Sequence, residues 1–445
     1  MKKLTLFALV SSLVLTVNAA DTGAPDWVSR PLSLTDCVNI ALTQNGNILK
    51  AKNDLEASLG IVIQTRAVAL PQLQATGRYT DQELSLVQSY PGSEANHQNW
   101  NSGIQLVQDI YAGGKLAAAF RGATAYKKQA LAQYDTALAD TLLLVRLAYY
   151  GVLLSEQQIV VNEASVKLLQ KELDDQQRRY DAGTVPHFNV LRAEVAVANA
   201  KPALIRAKSQ YRIAKNVLVN LLGYDLPREV LENIPMTLTD NFDVAPWNVA
   251  LPDAIQQALE RRPELKALHQ DVILQEVNVV NAKSGYKPTI SAFAGYGWMN
   301  NSMRTDLGDD VHGWSVGGQL VWNIFDGALT IGKVKQAKAI LSKSRTELAD
   351  RNRQVELNVR TAYSDFIEAR EVLDSQEKVQ EQAEEALREA NARFSAGTAT
   401  QLDVLDAETS LTQARTTQVQ ARHDYAAARA RLERAIGAEL ASLGK

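Results

Sequence analysis

Two carboxylates three residues apart, Asp403 and Asp406, stand in the stretch Leu402-Asp403-Val404-Leu405-Asp406-Ala407. The stretch reads as the first turns of a helix, where a spacing of three puts both acids on one face. Two kinds of chemistry are open to such a pair. Asp403 stands three after Thr400 and can complete a helix cap, favouring the positive N-terminus by about 0.3 to 1 kcal/mol. Alternatively, the two form a patch of negative charge that attracts cations and repels anions. Covalent chemistry finds no support, since the chain carries no nucleophile motif, phosphate loop or metal-ligand spacing. The histidines (His97, His187, His269, His312, His423) are scattered and Cys37 is the only cysteine, so neither a metal site nor a disulfide framework is expected. The chain reads as a non-enzyme without a cofactor.

An internal duplication positions those acids. Leu70-Pro71 recurs as Lys287-Pro288, Tyr149 as Tyr363, Tyr180 as Phe394, Ala182-Gly183-Thr184 as Ala396-Gly397-Thr398, Glu194 as Glu408 and Gly223 as Gly437. The spacing is constant apart from one three-residue indel between Pro71 and Trp100 (Pro288 and Trp314), which marks a loop tip. The repeats span 34–223 and 251–437. Residues 224–250 carry Pro227, Pro235 and Pro246, break every period and read as a connection outside the repeats, near their equator. Cys37 aligns with Ala254, which predicts a small core residue. Asn189 and Arg192 align with Asp403 and Asp406, so only the second copy carries the acids.

Each repeat reads as helix, two-stranded hairpin, very long helix, tight turn, helix. The first helix runs from about Asn47 to Leu70, where Pro71 stops it; Pro263 opens a helix in the second copy, the position proline tolerates best. The long helix runs from about Lys115 to Asp181 after the turn Gly113-Gly114, with Gly327-Ala328 as the second copy's turn. Apolar residues recur every seven: Leu131, Leu138, Val145, Val152, Ile159, Val166, Leu173, Tyr180, then Val359, Phe366, Leu373, Leu387 and Phe394 in the second copy. A strict heptad predicts coiled-coil packing, and ~67 residues span about 100 Å. Two half-length helices of about 24 and about 38 residues stacked end to end match that span, giving a column. At its tips, Gly183 and Gly397 are expected to be left-handed, and Thr184 and Thr398 (or Thr400) to cap the following helix. The run from Ile367 to Ala390 is rich in glutamate and reads as a solvated coiled-coil face, with an acidic lining as the other reading.

After Pro71 and Pro288 the period becomes two, over strands at about 71–112 and 288–326. Leu73, Ala75, Gly77 and Tyr79 share one phase, as do Ile104, Leu106 and Ile110; in the second copy the phase holds Ile290, Ala292, Ala294, Tyr296 and Trp298, then Trp314, Val316, Leu320, Trp322 and Ile324. An ordinary half-buried sheet alternates in the same way. Tyr79, Tyr296, Trp298, Trp314 and Trp322 on the apolar face point instead to the aromatic girdles of a membrane barrel.

Residues 1–20 have the basic, apolar, small-residue order of a secretory signal peptide. No later run approaches the ~18 apolar residues of a spanning helix, so a membrane crossing would be made by strands. A net charge of -3 and no long basic run give no argument for nucleic acid. Four strands cannot close a barrel, and an open edge in lipid leaves backbone groups unsatisfied. Three copies supply twelve strands and twelve column helices, the simplest closed assembly.

The Leu-Pro helix stop, the hairpin, the Ala-Gly-Thr turns, the phrase Leu402 to Ala407 and the repeat-ending Leu222-Gly223 and Ile436-Gly437, in this order and duplicated, resemble the outer membrane efflux protein family of TolC-like channels. The resemblance covers essentially the whole mature chain. It implies a mainly α fold, a long coiled-coil α-helical barrel across the periplasm plus four strands per protomer in a trimeric 12-stranded β-barrel in outer-membrane lipid. It implies a homotrimeric efflux or secretion duct working with a periplasmic adaptor (membrane fusion protein) and an inner-membrane transporter. Under it, the turns Ala182-Gly183-Thr184 and Ala396-Gly397-Thr398 contact the adaptor, and Asp403 and Asp406 ring the periplasmic aperture. The family's latch pattern departs here, with Ala399 after the turn and Phe394 before it. Arg178, Arg179 and Arg192, near the other tip, are candidates for bonds to Asp403 or Asp406. A soluble periplasmic coiled-coil adaptor or envelope spacer is the alternative.

Overall fold

The computed structural model describes residues 30–86, 97–225, 234–242, 244–300 and 307–438. The stretch read as a signal peptide, Pro227 and part of the first hairpin loop lie outside the described residues. In the first repeat, β1 (Pro31–Leu32), α1 (Leu34–Gln44), α2 (Gly46–Ala67), β2 (Gln72–Asp81), β3 (Gln98–Ala112), α3 (Lys115–Asp181) and α4 (His187–Leu221) follow in order. The connection holds β4 (Thr237–Leu238). The second repeat is α5 (Leu251–Arg261), α6 (Pro263–Lys283), β5 (Thr289–Asn300), β6 (Asp310–Val321), α7 (Leu329–Ser395) and α8 (Gln401–Ile436).

Both long helices have 67 residues. α3 is flanked by α2 and α6 toward the sheet, where Gly122 meets Val277, and by α4 and α8 toward the tips, where Lys208 pairs with Glu163 and Thr412 with Ser165. Part of α3 is apolar enough by length and composition to cross a membrane, and 44% of that window is buried inside the chain. The heptad is buried at its centre, at Val145, Val152, Val359 and Phe366, but Leu131 and Tyr180 are each 40% exposed within one chain. Toward the sheet, alanines (Ala118, Ala119, Ala123, Ala130) replace the heptad as the buried set. Small side chains let backbones approach closely, a signal the seven-residue count does not register.

The half-length helices do stack end to end. Asn45 accepts from the N–H groups of Asn47 and Ile48, capping α2, and its Nδ2 donates to the Leu221 carbonyl at the end of α4 at 2.5 Å. Gly223 makes this joint possible: its φ is +80, and a Cβ there would lie 2.2 Å from the Gln44 carbonyl oxygen. In the second repeat Arg262 takes Asn45's place between α5 and α6. It pairs with Glu264 at 3.3 Å, while Arg434 of α8 reaches Asp140 of α3 at 2.7 Å and Glu264 at 3.6 Å.

The inter-repeat connection does not stay outside. β4 pairs in parallel with β1, and Ile234 and Met236 are buried with Leu32, Cys37, Tyr149, Leu218 and Leu222 in the equatorial core. Cys37 is fully buried, and burial pushes its thiol up to about 12, as for a core residue rather than a reactive one.

The four long strands form one antiparallel sheet in the order β2-β3-β5-β6. Its register places Ala75, Ile104, Tyr296 and Trp314 in one row and Leu73, Leu106, Ala294 and Val316 in the next. A bulge between Asp109 and Tyr111 brings Tyr111 opposite Ile290, so Tyr111 joins the apolar face where simple alternation names only Ile110. The last strand ends at Val321, opposite Thr289, the first residue of β5. Trp322 and Ile324 therefore lie past the strand that the alternation extends to 326: no partner residue remains beside them. β2 and β6 have no second neighbour among the described residues.

Candidate functional site

At the tips, both long helices close alike. Gly183 (φ +69) and Gly397 (φ +74) are left-handed. The Thr184 N–H donates to the Arg179 carbonyl and the Thr398 N–H to that of Arg393, each at 2.9 Å, and the Gly183 and Gly397 N–H groups donate to the Tyr180 and Phe394 carbonyls at 2.8 and 3.1 Å, the two-bond closure of a Schellman motif at each tip. Thr184 and Thr398 also turn their hydroxyls back onto those carbonyls, at 2.8 and 3.1 Å. They therefore finish the preceding helix and do not cap the next one; Pro186 precedes α4 with no side-chain cap. A Cβ on either glycine would meet nothing within 4 Å, so Gly183→Ala and Gly397→Ala carry only the backbone cost of about 1 to 2 kcal/mol each. A modestly lowered denaturation midpoint with unchanged assembly is expected, checked by guanidinium unfolding.

Thr400 caps α8 through a full capping box. Its hydroxyl and N–H donate to Asp403 Oδ2 at 2.8 and 2.7 Å, and these bonds hold the Asp403 carboxyl below its ordinary value. Asp403 is thus the cap that its spacing allows, and remains exposed; Asp406, one turn on, is exposed and outside the cap. Among the described residues neither acid pairs with Arg178, Arg179 or Arg192. Arg178 and Arg179 both bind Asp175 of their own helix, at 3.3 and 2.8 Å, and Arg179 lies 4.9 Å over the Phe394 ring, joining the two tips by a cation–π contact. Arg192 makes no ion pair within the chain among the described residues. In the α7 glutamate run, Glu368, Glu371, Asp374, Glu377, Glu381, Glu385 and Glu389 are exposed, while Glu384 pairs with Arg415 at 3.0 Å.

Glu408 is the residue the sequence reading passed over. It is 4% exposed, and burial, with Glu172 nearby, pushes its carboxyl up to about 7. The signal was present: Val404, Glu408 and Leu411 follow the i, i+4, i+7 spacing of a buried stripe, and the flanking two are indeed core.

On the sheet, Tyr79, Tyr296 and Trp314 are exposed on the apolar face, with Trp298 half-buried beside Tyr296 at 4.8 Å between centroids. Trp322 stands at the helix end, its Nε1 donating to the Tyr286 carbonyl at 3.2 Å. From Trp314 to Trp322 is ~27 Å along an extended chain, or about 20 Å of height at a barrel's ~40° tilt, within the ~25 Å apolar band of membrane barrels, and Val316 and Leu320 lie between them, exposed. The opposite face carries Gln74, Thr76, Arg78, Asn101, Gln105, Ser315 and Gln319.

A polar-backed sheet at one end of a ~100 Å column is a form shared with known proteins. The outer membrane efflux protein family model matches residues 37–224 and 254–438, one segment per repeat. Outer membrane protein TolC of Vibrio cholerae is 26% identical over 91% of this chain and 90% of its own length. Alkaline protease secretion protein AprF of Pseudomonas aeruginosa is 24% identical, over 90% and 83%, and cobalt-zinc-cadmium resistance protein CzcC of Cupriavidus metallidurans is 23% identical, over 90% of each. Among solved structures, the Campylobacter jejuni CmeC outer membrane channel superposes with a TM-score of 0.79 at 16% identity, covering 91% of this chain and 85% of that one. The outer-membrane channel OprN does so at 0.76 and 19%, covering 91% and 89%. With both repeats matched and relatives aligned over most of their length, the chain belongs to the outer membrane efflux protein family, as an outer-membrane channel whose helices form a periplasmic tunnel.

Proposed function

We propose that three copies assemble into one continuous exit duct for a tripartite pump. The observation that carries this is the sheet, whose edges β2 and β6 both lack a partner among the described residues. Lipid does not tolerate such edges, and pairing β2 of one copy with β6 of the next satisfies both while making twelve strands. The helices support the same operation: α4 exposes Phe188, Leu191, Val195 and Ile205, and α7 exposes Leu357, Val372 and Val379, apolar surface that an adjoining copy would cover. Trp322 and the cluster around Trp314 are assigned to the inner and outer membrane interfaces.

The turns Ala182-Gly183-Thr184 and Ala396-Gly397-Thr398 would meet a periplasmic adaptor, which couples the duct to an inner-membrane transporter that supplies the energy. Asp403 and Asp406 would ring the aperture, six carboxylates in a trimer, with Arg192 facing a neighbouring copy. Arg178 and Arg179 act in this reading through Asp175 and Phe394, steadying the tips against each other. Relatives are named for protease secretion and for metal resistance, which supports a reading in which cargo choice lies with the pump and not the duct.

Purified protein is expected as a heat-resistant trimer from the outer-membrane fraction, giving discrete, cation-preferring conductance in planar bilayers; recovery in the soluble periplasm would favour the coiled-coil spacer instead. Asp406→Asn should lower cation preference with little change in stability. Asp403→Ala should lower both, because its cap is worth about 1 kcal/mol. Reversal potentials in a salt gradient, read beside unfolding midpoints, separate the two residues.

A further inference from the structure

We infer that Glu408 and Glu172 form a proton-operated catch between the two repeats: protonated Glu408 lets α8 close on α3, and ionised Glu408 sets two carboxylates against each other and parts them. This rests on the reading that the tips are the end of the duct that closes.

The geometry lies in the seam where α8 crosses α3 and α4. Gln401 Nε2 donates to the Asn189 carbonyl at 3.3 Å on one side, and Thr412 Oγ1 contacts Ser165 Oγ at 3.1 Å on the other. Glu408 lies between these neutral bonds, and with Glu172 lines a cavity of about 240 Å³. Three buried side-chain oxygens of this seam lack a partner, Glu408 Oε2, Gln176 Oε1 and Gln401 Oε1. Gln176 is fully buried, and its Nε2 is committed to Glu172 Oε1 at 2.7 Å. The orphaned atoms are acceptors, and a proton on Glu408 turns one buried carboxylate oxygen into a donor.

The charges facing Glu408 all come from α3: Lys171, Glu172, Asp175, Arg178 and Arg179. Both arginines are held by Asp175. α7 contributes Asn391, Phe394 and Ser395 to this cavity, and α4 contributes Ala196, Asn199 and Ala200 to the adjoining one, none of them charged. A carboxyl that burial raises from 4.5 to about 7 makes the closed seam the state that binds the proton. Closure is then fully favoured below the ordinary carboxyl value and is lost as pH rises through about 7. Asp403, held low by Thr400, stays ionised across that window. The repeat counterpart Glu194 is exposed on α4, so the catch belongs to the second copy alone.

The test uses the full-length trimer. Spin labels at Ala396→Cys, with buried Cys37 unlabelled, report tip-to-tip distance by pulsed electron resonance at pH 5.5 and 8.5, and single-channel recordings report open probability over the same range. The unsubstituted catch should show a longer tip distance at high pH and at least about a tenfold rise in open probability between pH 6 and 8. Glu408→Gln should hold the short distance at every pH, and Glu172→Gln should move the midpoint downward. A pH response that survives Glu408→Gln unchanged, or no distance change in the labelled trimer, overturns the catch. Absence of conductance at every pH counts against the duct instead, and the distances still decide the catch.

Discussion

Leu320→Arg should abolish assembly of the heat-resistant trimer, and Gln319→Arg, one residue away, should leave it intact. Neighbouring residues on a strand face opposite sides, and the register pairs Leu320 with Ile290 and Gln319 with Ser291. If the apolar face meets lipid, each arginine near mid-depth costs about 2–4 kcal/mol. A closed trimer carries three, so the total is about 6–12 kcal/mol, comparable with the whole stability of many folded proteins. Val316→Arg, on the same face and 69% exposed, should behave like Leu320→Arg. The polar face of a channel tolerates the same charge in water, where Gln319→Arg alters conductance and not assembly. The measurement is the trimer band on semi-native gels, with and without heating, from outer-membrane fractions. Equal behaviour of the 319 and 320 variants would mean the sheet packs as an ordinary soluble layer, which is the one arrangement that keeps the spacer reading alive.

The long elements were legible because their signals are local and repeated. The bounds of α3 follow from Gly113-Gly114 and Ala182-Gly183, and they fall where those residues place them. The apolar phase of the sheet follows from a period of two sustained over four strands. What escaped the sequence reading depends on contacts between distant segments. The bulge that turns Tyr111 to the apolar face exists only as a mismatch against β5, and Trp322 leaves the sheet because its neighbour has run out. Position before a helix makes Thr184 and Thr398 look like caps of the next one, whereas the carbonyls nearest to their hydroxyls belong to the helix behind. Glu408 shows the deeper reason. A glutamate on α8 looks like its solvated neighbours until α3 is laid across it, and only that crossing removes water and brings Glu172 near.

Glu264→Gln should be among the most damaging single changes in the column, and the first repeat indicates how to repair it. Both repeats must splice two half-length helices end to end, and they solve the problem with different chemistry. The first uses one neutral side chain: Asn45 caps α2 and donates to the last turn of α4. The second uses charge. Arg262 and Arg434 each have side chains only 8% exposed, and both contact Glu264, itself 17% exposed. Burial pulls Arg262 below its ordinary value, which Glu264 opposes and Arg434 reinforces. Neutralising Glu264 leaves two buried guanidiniums with Asp140 as the remaining acid, and breaking a buried pair in this way costs about 3–5 kcal/mol. Salt should restore little, because buried charges are poorly screened. Arg262→Asn combined with Glu264→Gln copies the first joint, removing one of the stranded cations and supplying a cap. It should recover most of the loss, giving a coupling of opposite sign to simple addition. The comparison is the half-life of the trimer at a fixed denaturing temperature for the parent, Glu264→Gln and the double variant, since kinetic survival is the meaningful measure for an assembly of this kind. A double variant no better than Glu264→Gln would mean that the second joint needs its charges for more than joining helices.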